Sequence, residues 1–294
     1  MNRHSHQLLQ WLLVSVSVGM VIWWLMPRQP RYKGKPAGQW VRQLNSPLES
    51  ESDAAKKAIR ELGTNAAPLL IEKLQATESA LTSNLTQLAQ KQTLLKLDLT
   101  TASEERSQGI QGFLALGTNA NSSIPDLMKL LDNPTSADSA AYILTELNNK
   151  AIPWLIQAAT HTNPMVRHRV VLDLGYRHTN APGAVPVLIQ TLQDPDSKVR
   201  GAATYALSRF LEEGKTIVPA LLPLLDDSDL KVRLHAAQSL GTFGEQAKAA
   251  VPALLRVVKR DGPSSTAGGA LRKIDPGAAL KAGVAPADFS PKLE

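Results

Sequence analysis

Two kinds of apolar stretch alternate along the second half of the chain. One is short and opens with a hydrophobic residue and a proline, as in Val185-Pro186-Val187-Leu188-Ile189-Gln190-Thr191-Leu192. Proline suits a first helical turn, where its missing N–H would have no intrahelical partner. The other is longer and amphipathic. Val199, Ala202, Ala203, Ala206 and Leu207 keep the i, i+3, i+4, i+7, i+8 spacing of one helix face. Polar turns separate the two, first Gln193-Asp194-Pro195-Asp196-Ser197 and then Leu225 to Asp229. The pattern predicts a helix–turn–helix unit. Its second helix begins near Lys198 or Lys231 and stops at Gly175, near Arg209, or at Gly241. Alanines on the inner face allow neighbouring helices to approach closely.

The unit recurs. Val166-Arg167, Val199-Arg200 and Val232-Arg233 are 33 residues apart, and so are Pro153, Pro186, Pro219 and Pro252. Two separate features keeping one period mark an internal repeat. Regularity fades upstream, where the proline appears at Pro125 and Pro68. Leu81, Leu85, Leu88, Gln92, Leu95 and Leu99 keep helical spacing within 76–103, which predicts a longer helix or helical hairpin as an irregular insertion. Residues 267–274 predict one capping helix, followed by a loose Gly/Ala/Pro-rich tail at 276–294. The fold class expected is all-α, with a solenoid over 53–275.

The pattern Asp-x-Asp-x-x-Val-Arg-x-x-Ala-Ala-x-x-Leu, then Val-Pro-x-Leu-Leu, resembles the HEAT repeat, in the short form shared with phycobilisome-lyase-like repeats. The best stretches are Asp194 to Leu207 and Asp227 to Gly241. The resemblance implies an α-α superhelix whose second helices line the concave face. A further resemblance is to bacterial anchored HEAT proteins. It lies in Tyr32-Lys33-Gly34-Lys35…Trp40, in Ala58 to Pro68 (Ala-Ile-Arg-Glu-Leu-Gly-Thr-Asn-Ala-Ala-Pro), and in Gly117-Thr118-Asn119-Ala120. It implies a fold and a membrane link, but no activity.

Leu8 to Met26 is 19 residues long and uncharged. As a helix it would span about 28 Å, close to the hydrocarbon thickness of a bilayer. Trp11 lies near one end and Trp23 and Trp24 near the other, as interfacial tryptophans would. Leu25-Met26-Pro27-Arg28 offers no small-x-small cleavage site. The expectation is therefore a tail at 1–7, a retained single-pass anchor at 8–26 and a basic juxtamembrane linker at 27–52. The side of the membrane stays open.

Charge and composition narrow the function. The net charge is +6, and the charged residues before Glu49 are all basic: Arg3, Arg28, Arg31, Lys33, Lys35 and Arg42. Without these six, 26 basic residues face 26 acidic ones, which speaks against a nucleic-acid-binding solenoid. The chain has no cysteine, hence no thiolate chemistry. Phosphate-loop, dinucleotide and nucleophile-elbow motifs are missing. His161, His168, His178 and His235 do not cluster at zinc-ligand spacing. No cofactor, metal or catalytic residue is assigned. The repeated Arg167, Arg200 and Arg233 read as a structural ladder whose partners are Asp194, Asp227 or carbonyls of the adjacent unit. Off the core stripe of the second helices, Tyr176, Lys198, Tyr205, Arg209, Lys231 and Gln238 form the candidate partner-binding stripe, since Tyr and Arg are enriched at hot spots. The function expected is a non-catalytic, membrane-anchored scaffold with a protein partner. The rivals are a bilin lyase or isomerase by repeat analogy, and a helical-repeat nucleic-acid binder.

Overall fold

A computed structural model describes residues 29–78, 100–147, 149–263 and 265–285. It opens with a two-strand hairpin, β1 (Arg31–Tyr32) and β2 (Lys35–Pro36), paired antiparallel. Lys33 and Gly34 between them have φ of 48° and 77°. Positive φ at both central residues is the signature of the two-residue turn that matches strand twist. The hairpin is held to the first helix by Trp40, whose Nε1 donates to the Tyr32 carbonyl at 3.1 Å. The Tyr32 and Trp40 rings meet edge to face at 6.1 Å, and Lys35 Nζ lies 4.7 Å from the Trp40 ring centre.

Helical pairs follow: α1 (Ala37–Gln43) with α2 (Glu49–Leu62), α3 (Ala67–Leu74) with α4 (Ala102–Leu116), and α5 (Ile124–Leu130) with α6 (Ala137–Glu146). Then come α7 (Ile152–Ala158) with α8 (Pro164–Tyr176), and α9 (Val185–Thr191) with α10 (Ser197–Leu207). The last are α11 (Gly214–Leu221) with α12 (Leu230–Thr242), and α13 (Val251–Asp261) with α14 (Thr266–Ile274), before a short α15 (Pro276–Lys281). The repeat writes one core register throughout. Leu155, Leu188, Leu221 and Leu254 hold the same place in successive first helices, and each is 0% exposed. Leu174, Leu207 and Leu240 do so in the second helices and are likewise fully buried. Second helices stack on second helices, so one apolar seam runs along the pairs.

Several expectations need correction. Residues 27–52 are not simply a basic linker: Ala37, Trp40, Val41 and Leu44 are buried in the core of the first pair, so the folded body begins before residue 53. The helix there has only two turns, too short for its apolar period to show beside the basic residues. Residues 276–294 are not wholly a tail. Asp275 caps α15 through the Ala278 amide at 2.8 Å, and Ala279 and Val284 are buried. Pro219 is not in a first turn but inside α11, which starts earlier at Gly214 and passes into a 3-10 turn over Leu222–Asp226. Gly175 and Gly241 do not stop their helices, which run on to Tyr176 and Thr242. They are close-approach positions instead. A Cβ on Gly175 would lie 2.6 Å from the Ala206 Cα, and one on Gly241 would lie 3.1 Å from the Ala270 Cα.

The single-pass membrane placement is also withdrawn. Among the described residues no helix is long and apolar enough to cross a membrane. Residues 8–26, on which that expectation was placed, lie outside the described residues, as does 79–99 of the expected insertion. The end of that insertion is fixed by the Thr101–Glu104 capping box, which starts α4.

Candidate functional site

Two edges of the stacked second helices carry polar chemistry. Each of α8, α10 and α12 is opened by an N-cap: Asn163, Asp196 and Asp229, whose side chains accept from the amides two residues on at 2.8–2.9 Å. Four residues after each cap stands the repeated arginine. Arg167 Nε and Nη2 clamp the Asp194 carboxylate at 2.7 and 2.8 Å, while Nη1 donates to the His161 and Thr162 carbonyls. Arg200 repeats this on Asp227 at 2.8 Å for both bonds, with Nη1 on the Asp194 and Pro195 carbonyls. Arg233 keeps the carbonyl bonds, to Asp227 and Ser228, but clamps no carboxylate: Asp261 acts on it only electrostatically, and its buried Nε has no hydrogen-bond partner. The physical reason lies in the next turn. Asp194 and Asp227 stand two residues before their caps, and the residue two before the next cap, Ser265, is Pro263.

These pairs bridge one unit to the next. Burial opposes ionisation of Asp194, but bonds from Arg167 and the Asp196 amide outweigh it and hold its carboxyl below the usual carboxylate range. Asp227 is held low first by its bond to Arg200.

The other edge is open. Tyr176, Lys198, Tyr205, Lys231 and Gln238 line one groove of about 720 Å³ that crosses α8, α10 and α12. Arg209, just past α10, lies in an adjoining cleft with Tyr205 and Gln238. The candidate stripe read from the sequence is thus brought together on one surface. Tyr176 and Tyr205 are 62% and 38% exposed, and their rings meet edge to face at 5.9 Å. Interaction with the Tyr205 phenol raises the Tyr176 hydroxyl above its ordinary value. Gly201 and Ala202 form the floor between His168 and His235; a Cβ on Gly201 would lie 3.0 Å from His235 Nδ1. Burial lowers the His168 imidazole below its ordinary value. The two histidines and this floor were not among the expected site residues. The signal for them was a glycine inside an otherwise helical pattern, which marks a close approach.

The fold and this surface define an α-solenoid, a stack of helical hairpins offering a continuous polar edge and no enclosed cavity among the groove residues named. The particular family follows from sequence. HEAT repeats match over 124–208 and 185–272, just over half of the chain, so the protein belongs to the HEAT-repeat family. No curated protein matches the chain. Among solved structures it is similar to an engineered protein, at 19% identity over 84% of this chain and 82% of that one, with a TM-score of 0.44. It is also similar to a designed armadillo repeat protein in complex with the peptide (KR)4, at 17% identity over 84% and 99%, TM-score 0.42. A third is the complex of CpcE and CpcF of phycocyanin lyase from Nostoc sp., at 20% identity over 85% and 98%, TM-score 0.33. The likeness says nothing of activity.

Proposed function

We propose that the protein is a non-catalytic interaction scaffold that takes a segment of a partner protein across the groove of α8, α10 and α12. The observation that carries this reading is the groove itself, where Tyr176, Lys198, Tyr205, Lys231 and Gln238 converge from three successive units. Large, half-exposed tyrosines give contact area at low entropic cost, and they are placed where a polar rim surrounds them. Exposed Met165 and Leu230 add apolar surface beside them. A solenoid extends such a surface one unit at a time, which suits an extended partner.

The test is a photo-crosslinking amino acid placed at Tyr205, with Gln190 on the first-helix side as control. Discrete protein adducts from position 205 that vanish with Tyr176→Ala, and are not formed from position 190, are expected. Equal adducts from both positions would overturn the reading. The Tyr205→Ala/Arg209→Ala variant should lose the same partner without a change in melting temperature.

A further inference from the structure

The charge pattern narrows the occupant of the groove, a step that rests on reading it as a protein-binding surface. Helices α8, α10 and α12 hold a single carboxylate between them, Asp173, and Arg177 engages it at 2.6 Å. The capping Asp196 and Asp229 are occupied by their helix amides, and Asp229, the one of the two that lines the groove, stands beside Lys198 and Lys231 there, so that two lysines face one carboxylate. Among the cations, Arg167 and Arg200 are bound in the ladder, and Arg169 pairs with Asp138 at 2.9 Å. Arg233 has no ion pair shown but is held by the Asp227 and Ser228 carbonyls on the ladder side, so on the groove side Lys198, Lys231 and Arg209 remain, exposed and with no ion pair shown among the described residues. Lys198 and Lys231 occupy the same place in successive units, each in the first turn of its helix, where the helix dipole adds to the positive potential. Met165 holds that place one unit earlier and is 58% exposed.

We propose that the groove binds an extended acidic peptide segment, with carboxylates on Lys198 and Lys231 and an apolar side chain against Tyr176, Tyr205 and Met165. Packed helices lie about 8–10 Å apart. An extended chain advances about 3.3 Å per residue. The two carboxylates would therefore stand about three residues apart. A nucleic acid strand suits the surface less well. The two tyrosines meet each other edge to face rather than offering parallel faces for stacked bases. Basic and acidic residues also balance beyond the first 48 residues.

The experiment is fluorescence anisotropy with the full chain and three labelled probes: a short peptide with glutamate at every third position and leucine between, the same peptide with lysine for glutamate, and an oligothymidylate. The glutamate peptide is expected to bind in a salt-sensitive way. Its affinity should fall by about tenfold or more in Lys198→Glu/Lys231→Glu, which should take up the lysine peptide instead. Equal binding of the lysine peptide by the unmodified protein would overturn the proposal. So would tighter binding of the oligothymidylate that the same variant abolishes. A random peptide display library separates this from the broader reading. Non-acidic binders that crosslink at position 205 would remove the acidic assignment and leave a protein-binding groove. No groove binder of any sequence would remove both.

Discussion

The arginine ladder contains its own control. Arg200 and Arg233 make the same two carbonyl contacts through Nη1, at 2.8 and 3.2 Å and at 2.7 and 3.1 Å. They differ in that Arg200 also clamps Asp227, whereas the Nε of Arg233 is buried without a partner. Comparing Arg200→Met with Arg233→Met therefore isolates the bidentate pair. Hydrogen bonds to charged groups contribute about 1.5–3 kcal/mol each. Two factors reduce the sum here. The side chains of Arg200 and Asp227 retain 14% and 11% exposure, and Asp227 keeps the Asp229 amide at 2.8 Å when the arginine is lost. Arg200→Met should thus cost about 2–3 kcal/mol more than Arg233→Met, because it also strands a largely buried carboxylate. For a chain of this size that is a difference of roughly 5–10 °C in melting temperature. Urea titration read by circular dichroism gives the total. Hydrogen exchange at the α10–α12 contact tests that the loss is local, since a solenoid sums nearest-neighbour terms. Equal destabilisation of the two variants, within about 0.5 kcal/mol, would refute the assignment of energy to the carboxylate clamp.

Other outcomes follow from the same geometry. Pro263→Asp supplies a carboxylate at the place of Asp194 and Asp227, and should raise the melting temperature by satisfying Arg233, an effect that Arg233→Met abolishes. Gly175→Ala should destabilise by about 2 kcal/mol despite alanine's better helix propensity, because its Cβ would meet Ala206 at 2.6 Å. Gly269→Ala, with nothing within 4 Å of its Cβ, should stabilise by about 0.5–1 kcal/mol on the same thermal assay. Asp194 and Asp227 titrate below their unfolded values, so their contribution is present above about pH 4 and is lost as pH falls through the folded values. Asp194→Asn/Asp227→Asn should lower stability at neutral pH and flatten the decline below about pH 4, measured by urea midpoint against pH.

What the sequence made legible was the part of the structure that repeats. Leu188, Val199 and Leu207 are buried because a fixed period places them on one face, and the period can be counted without coordinates. Segments without a period were misjudged. Trp40 and Val41 read as part of a basic linker because two helical turns are too few for an apolar period to show, and part of what holds Trp40 is a backbone carbonyl of the hairpin. Gly175 read as a stop because glycine commonly ends helices. What distinguishes a stop from a close approach is the neighbour, Ala206, which lies 31 residues away and is invisible to local pattern. The candidate stripe was legible as a register, but its floor at Gly201 and Ala202 was not, because small residues carry no chemistry of their own until His168 and His235 are seen on either side.

The two basic registers show why spacing alone does not separate structure from binding. Lys198 and Arg200 recur together, 33 residues before Lys231 and Arg233, and both look like ladders of charge. Two residues along a helix are about 200° around it, so the members of each pair face opposite ways. The arginine side meets the turn of the next unit, where the carboxylate two residues before the cap waits at 2.7–2.8 Å. The lysine side lines the groove together with the capping Asp229, whose carboxylate accepts from the Lys231 and Val232 amides and forms no ion pair shown with either lysine. An acid placed there would stabilise the fold through ion pairs like those of the arginines. In the two units that carry the lysine no ion pair with it is shown among the described residues, and that is the condition a surface must meet if it is to take its carboxylates from another chain.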